Sequence, residues 1–323
     1  MANSIIDFFT SFSLRFQVVA SSALVLLAVS AMATSAAEKQ NDPSNKLKLI
    51  SSHQPPRPST KAFDLSGLLV VDDHLLLLSD KPWDRFLYLY ESDGPQLLFR
   101  KKLPIEGGPS KPDFEALAMC KNTLYLADEN DQTIWTGKLE FEEKKFLKVT
   151  LTDSVKVVFY VAKKEAWKKN AGIEGVAVDC QKNLLYALKE RQPRRIYEID
   201  LKSQKITRDF DIKGTDGYDF SDAQFENGHL YILERSAYKI LKYDLKSKTV
   251  VDSVSYKEFF FESNQPLFGP TPYALEEALF LSKEFIWIGT DNNDLKSLPW
   301  AEKRYKFSGK APVIMKFQRP KEF

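Results

Sequence analysis

The 323-residue chain is 43% apolar and carries 46 basic against 44 acidic side chains, a formal charge of +2. That near-balance excludes the basic footprint of a nucleic-acid binder, while the apolar content suffices for one large domain or two small ones. Two cysteines and three histidines exclude a disulfide scaffold and a structural zinc site.

The first element in chain order is residues 16–33, FQVVASSALVLLAVSAMA, uncharged and preceded by Arg15. Small-residue cleavage patterns follow at Ala31-Met32-Ala33 and Thr34-Ser35-Ala36. Residues 1–37 therefore read as a secretory signal peptide, which implies a secreted or periplasmic protein with no stable membrane span after processing. The alternative is an uncleaved anchor, since about 18 apolar residues is near the lower limit for crossing a bilayer. Residues 38–62 read as a linker holding a strand-like segment, KLKLIS at 46–51.

From residue 63 onward a pattern returns five times. Each copy opens on a pentad, LSGLL (65–69), FEALA (114–118), IEGVA (173–177), FSDAQ (220–224) or LEEAL (275–279). A polar turn follows, then a strand rich in Leu, Tyr, Trp and Ile, such as TLYLADE or HLYILER, and then a third strand such as IYEIDL. β-branched and aromatic runs punctuated by short turns predict an all-β chain. A period of about 50 residues predicts a β-propeller, with roughly four strands per blade. YALEEALFLSKEF has helical periodicity in isolation, but its place in the repeat predicts strands. The last copy lacks an outer strand, so the 46–51 segment is expected to supply it and close the ring. Five blades is the predicted count. Six is the alternative, should the insertion 141–165 fold as a further blade.

In a propeller the start of each inner strand and the end of the next strand meet on one face. The pentads place Ser66, Glu115, Glu174, Ser221 and Glu276 there. The second strands add Asp80, Glu129, Glu190, Arg235 and Asp291, at separations of 14, 14, 16, 14 and 15. Glu234, Asp128 and Glu277 stand beside them. Unpaired like charges about 4 Å apart repel by roughly 1 kcal/mol in water and about 4 kcal/mol in a partly buried site, so such a ring needs cations, arginine partners or raised pKa values. An oxygen-only ligand set suits calcium. The competing reading is structural, with the polar residues bonding neighbouring backbone and holding the blades in register.

Other chemistry is sparse. His74 and His229 fall in matching turns at the far end of the blades, and Ser66 and Ser221 have no histidine to activate them. A hydrolase here would use a metal-activated water with a carboxylate as base. Arg235, Arg191, Arg194 and Arg195 are candidates to clamp an anionic phosphate, the last three being expected on an exposed loop. Cys120 and Cys180 are expected as free, buried thiols, with a disulfide as the alternative that export permits.

The ordered series DLSGLL, PDFEALA, AGIEGVAVD, LYALKE, FSDAQFENGHLYILER and LEEALF with GTDNND resembles the phytase-like propellers labelled "esterase-like activity of phytase". It is also similar to the SdiA-regulated propellers. The likeness spans residues 64–293. It implies an exported propeller with a polar, calcium-holding mouth and a hydrolase activity. The sequence departs from the family's acid–glycine pattern at Ala116, Asp222 and Glu277. Ring and resemblance together assign Glu174, Glu190 and Arg235 to catalysis, and Glu115, Glu174, Glu276 and Asp291 to a metal. They assign Ser66, Asp80, Glu129, Ser221, Glu234 and Asn292 to ligand binding. The expected function is metal-dependent hydrolysis of a phosphoester by a monomer whose partner is a small anionic ligand. The alternative is a non-catalytic calcium- or ligand-binding scaffold.

Overall fold

The computed structural model describes residues 46–56, 63–93, 96–142, 145–157, 171–271 and 275–323. The signal-peptide assignment at 1–37 lies outside them. Among the described residues no helix is long and apolar enough to cross a membrane.

β1 (Lys48–His53) precedes the repeats. The first repeat forms β2 (Leu65–Val71), β3 (His74–Ser79), β4 (Phe86–Asp93) and β5 (Gln96–Glu106). The second forms β6 (Phe114–Cys120), β7 (Thr123–Asp128), β8 (Thr133–Glu142) and β9 (Lys145–Lys156). Each set is an antiparallel meander, and a short parallel pairing of β5 with β9 joins them into one eight-stranded sheet. β10 (Ile173–Asp179), β11 (Leu184–Lys189), β12 (Arg195–Asp200) and β13 (Lys205–Phe210) form a four-stranded sheet. So do β14 (Asp222–Glu226), β15 (His229–Glu234), β16 (Lys239–Asp244) and β17 (Thr249–Ser255). A connection follows with the short strands β18 (Phe261–Glu262), β19 (Gln265–Pro266) and β20 (Phe268–Gly269). The last repeat contains β21 (Glu276–Leu281), β22 (Phe285–Thr290), the short β23 (Lys296–Ser297) and β24 (Ile314–Gln318).

The inner strands pack in succession: β2 on β6, β6 on β10, β10 on β14, β14 on β21, and β21 back on β2. This order explains the sequence pattern. β10 (IEGVAVD) is buried at every position, whereas the outer β13 (KITRDF) alternates exposed and half-buried residues. Inner strands have neighbours on both faces, so they read as continuous apolar runs. The approach is close. A Cβ on Gly175 of β10 would stand 3.0 Å from the Asp222 Cα of β14, so a side chain there would push the two sheets apart. The helical periodicity of YALEEALFLSKEF is overridden because β21 and β22 pair antiparallel, Ala278 opposite Gly289.

β1 closes the last sheet, in the order β1-β24-β22-β21, with Lys48 opposite Gln318 and His53 opposite Ile314. Leu47, just before β1, is buried in the core with Ile288, Met315 and Phe317. Of the insertion considered for a sixth blade, the described part up to residue 156 extends the β8–β9 hairpin; residues 158–165 lie outside the described set.

Cys120 and Cys180 are joined in a disulfide, which corrects the expectation of free thiols. They end β6 and follow β10, where neighbouring inner strands bring their Cα atoms to 5.7 Å. Neither is buried.

Leu47→Ala should destabilise the protein by about 2–4 kcal/mol through loss of buried apolar volume, measured by urea unfolding. A cost below about 1 kcal/mol would mean that β1 docks without contributing to the core.

Candidate functional site

In four of the inner strands the ladder skips one residue: Ser66 between Leu65 and Gly67, Glu115 between Phe114 and Ala116, Glu174 between Ile173 and Gly175, and Glu277 between Glu276 and Ala278. Such a bulge re-aims the extra side chain out of the sheet alternation. In the fourth repeat Asp222 pairs with Leu233, which leaves Ser221 at the equivalent position. The last repeat therefore sits one residue later than the pentad alignment placed it. Glu277 occupies the ring position, and Glu276 is a ladder residue opposite Thr290. The spacing already held this signal, because Glu277 to Asp291 is 291 − 277 = 14, the separation found in three other copies.

The bulged residues and the ends of the second strands surround a cavity of about 420 Å³. Its walls carry Asp80, Glu115, Glu174, Glu190, Asp219, Glu277 and Asp291 against the guanidinium groups of Arg191 and Arg235. Arg235 is spanned by three carboxylates from three repeats. Its Nε donates to Asp219 Oδ2 at 3.2 Å, while Nη1 and Nη2 donate to Glu277 and Glu190. Burial alone would loosen its proton, but Glu277, Asp219 and Glu174 outweigh that and hold it tighter. Arg191 also pairs with Glu190. In the first repeat Lys81 Nζ bonds Asp64 Oδ2 at 2.5 Å and Asp80 Oδ2 at 3.0 Å.

The remaining acids are under-compensated. Burial, then the neighbouring Glu174, Asp80 and Asp113, push the Glu115 carboxyl well above its usual range. Burial, Glu277 and Glu129 do the same to Glu174 against the opposing pull of Arg235 and Arg191. Asp291 is raised by burial and by Asp64 and Asp80. Burial lifts Asp80 to about 6, Asp113 and Glu277 to about 7, and Glu276 to about 8. Two trios bring ligand oxygens within 4.8 Å of one another, Asp64–Asp80–Asp291 and Asp113–Glu115–Glu129. These buried acidic clusters can hold a metal ion.

Of the residues singled out from sequence, Asp80, Glu115, Glu174, Glu190, Arg235 and Asp291 line the cavity. The others are engaged around it. Ser66 Oγ donates from the first repeat to Phe114 O of the second at 2.6 Å. Glu129 Oε1 accepts the Gly172 N–H at 2.7 Å, tying the second repeat to the third while remaining within reach of Asp113 and Glu115. Ser221 N–H donates to Leu233 O within its own sheet. Glu234 is fully buried and accepts from Arg194 Nη1 at 2.9 Å. Asn292 Nδ2 closes a local turn on Leu295 O. Glu276 is buried with an unpartnered Oε2. The exposed-loop expectation for the arginines is corrected. Arg194, whose side chain is 11% exposed, donates to the Gly217 and Ile212 carbonyls and stacks on Phe220, and Arg191 lines the mouth. Arg195 bonds Asp209 on the outer strand.

Asp64, Asp113 and Asp219 are contributors that the repeat alignment passed over. Each stands two residues before a ring position, as DLS, DFE and DFS. The carbonyls of Asp113, Gly172 and Leu275 at this position accept the N–H groups of Glu129, Glu190 and Asp291, so the recurring aspartate carries a fixed place at the rim.

Sheets stacked in cyclic succession around a polar mouth define the β-propeller class. A family model described as SdiA-regulated matches residues 99–262, and the chain belongs to that family. The glutaminyl cyclase of Myxococcus xanthus is similar in structure, with a TM-score of 0.53, 12% identity, and coverage of 84% of this chain and 95% of that one. The WD40 domain of Neurospora crassa Pan2 aligns with a TM-score of 0.39 at 10% identity, over 76% of this chain and 63% of that one. No curated protein matches the sequence.

The raised carboxyls fix a pH dependence. Their folded pKa values exceed their unfolded ones, so the folded protein holds protons that the unfolded chain releases. That stability is complete below about pH 4 and is lost as pH rises through the values of 6 to 8 given above. Without added metal, Tm should therefore be lower at about pH 8.5 than at about pH 5.5; an equal or higher Tm would show that the ring is neutralised internally. Arg235→Met should cost about 3–5 kcal/mol, as when one partner of a buried ion pair is removed. Adding Glu277→Gln should recover part of that loss in the same unfolding assay.

Proposed function

We propose that this protein is an exported five-bladed propeller, residues 63–323, that holds a divalent cation at its carboxylate mouth. Ligand chemistry favours calcium, because the donors are carboxylate oxygens and none of the mouth residues is a histidine or cysteine. The carrying observation is the pair of carboxylate trios, of which Asp64 and Asp80 each keep one buried oxygen without a partner. The disulfide supports export, since such bonds persist in oxidising compartments. The protein acts as a monomer in this reading.

Metal-dependent phosphoester hydrolysis is the second reading, supported by Glu174 and Glu115, whose raised carboxyls face the cavity. A bound cation would supply charge stabilisation to a phosphoryl oxygen. Glu174 would take the proton from water, with Glu190 holding the guanidinium groups beside it. Arg235 is less suited to clamp phosphate than its type suggests, because each of its nitrogens already meets a carboxylate. That engagement favours a cation as the primary occupant, with an anionic ligand arriving on the cation or not at all. The non-catalytic scaffold differs from the hydrolase only in turnover.

Calcium titration of the mature chain followed by thermal unfolding tests the proposal. Saturable stabilisation of about 2.7 kcal/mol at a hundredfold excess over Kd is expected, reversed by chelator. No shift would overturn the cation reading. With binding shown, phosphoester turnover that chelator abolishes would favour the hydrolase, and binding without turnover the scaffold. Glu174→Gln should weaken calcium binding more than Glu143→Gln, a substitution outside the repeated ring and outside the described residues.

A further inference from the structure

We infer that Lys81 is a built-in competitor for the cation, its ammonium standing at the Asp64–Asp80–Asp291 trio in the metal-free protein and leaving when a divalent ion binds. This rests on the cation reading above.

An ammonium offers three donors and one charge. Lys81 spends two contacts on Asp64 Oδ2 and Asp80 Oδ2, leaving Asp64 Oδ1 and Asp80 Oδ1 buried and unpartnered. Asp64 is 3% exposed, so its free oxygen has no recourse to solvent. Asp291, the third member, takes an N–H from Asn293 but no base. One positive charge thus serves three clustered carboxylates, and two oxygens remain available to an ion that takes six to eight oxygen ligands.

Arg235 and Lys81 differ in freedom. Arg235 is wedged among Asp219, Glu190 and Glu277, with its side chain 12% exposed. Lys81 follows the second strand of the first repeat on the connection to β4, and its side chain is 20% exposed. Its flexible stem can carry the ammonium out to water without breaking a ladder. Arg235 is therefore the permanent counter-charge and Lys81 the exchangeable one. The Asp113–Glu115–Glu129 trio differs again, since Glu129 Oε1 is committed to the Gly172 N–H.

Calorimetric titration with calcium alone, on the mature chain at low ionic strength, tests the assignment. Lys81→Met and Lys81→Gln should each bind calcium about tenfold or more tighter than wild type, because they delete a positive charge at the site. Lys81→Arg should not tighten binding, and Asp64→Asn should weaken it. The metal-free Lys81→Met protein should melt below wild type, and saturating calcium should reverse that order. Wild-type affinity in both neutral variants, with binding still lost in Asp64→Asn, would overturn the competitor role and leave the cation reading standing. Loss of binding in Glu115→Gln with full binding in Asp64→Asn would move the ion to the other trio and overturn the inference. Absence of calcium binding in wild type and both neutral variants would overturn inference and cation reading together. Two neutral replacements of different polarity guard against a single variant that fails to fold.

Discussion

A carboxylate taken out of water must find a proton, a cation or a set of hydrogen-bond donors. That constraint organises the mouth of this propeller, where the repeat delivers acids from every sheet to one small volume. The protein meets it in different ways at different places. Glu129 turns to a backbone N–H, Glu234 to the buried Arg194, and Glu190, Glu277 and Asp219 to Arg235. Glu115 and Glu174 instead have carboxyls that burial and neighbouring acids push well above the usual range. The last group is where chemistry can enter.

The bulge is the device that creates this crowding. A regular inner strand would send alternate side chains into the two neighbouring sheets and none along the channel axis. In four of the five inner strands one extra residue redirects a side chain out of the alternation while the apolar positions on either side keep their places in the core. Divergence among the repeats then sets the character of the ring. Serine at 66 and 221 bonds backbone, glutamate at 115, 174 and 277 adds a carboxyl, and arginine at 235 replaces the acid of the other copies. The result is an asymmetric ring, with its guanidinium groups gathered toward the third and fourth repeats and Lys81 facing the first.

The strands and their cyclic order were legible because burial on both faces imposes long apolar runs on inner strands, and a repeat shows those runs several times over. The mouth was legible only in part. Both Glu276 and Glu277 are acids, and the pentad pattern cannot show which one the bulge displaces; the 14-residue spacing could. Arg191 and Arg194 flank Pro193 among polar residues, which reads as solvent-exposed loop until the buried acids Glu190 and Glu234 are known to pair with them. Asp64, Asp113 and Asp219 were hidden because they precede the apolar residue that marks each pentad. Cys120 and Cys180 are 60 residues apart in sequence, and only the packing of β6 against β10 makes them neighbours.

The seam of the ring has a temporal side. β1 belongs to the same sheet as β24, so the first strand of the described chain is completed by one of the last. Synthesis runs from the N-terminus, and a growing chain folds what it already has. Each middle sheet can form from its own consecutive strands as it emerges. β1 cannot, because between its backbone groups and their partners at residues 314–318 lies nearly the whole of the domain. The segment made earliest therefore waits longest, and the circle is sealed by the meeting of its oldest and youngest strands.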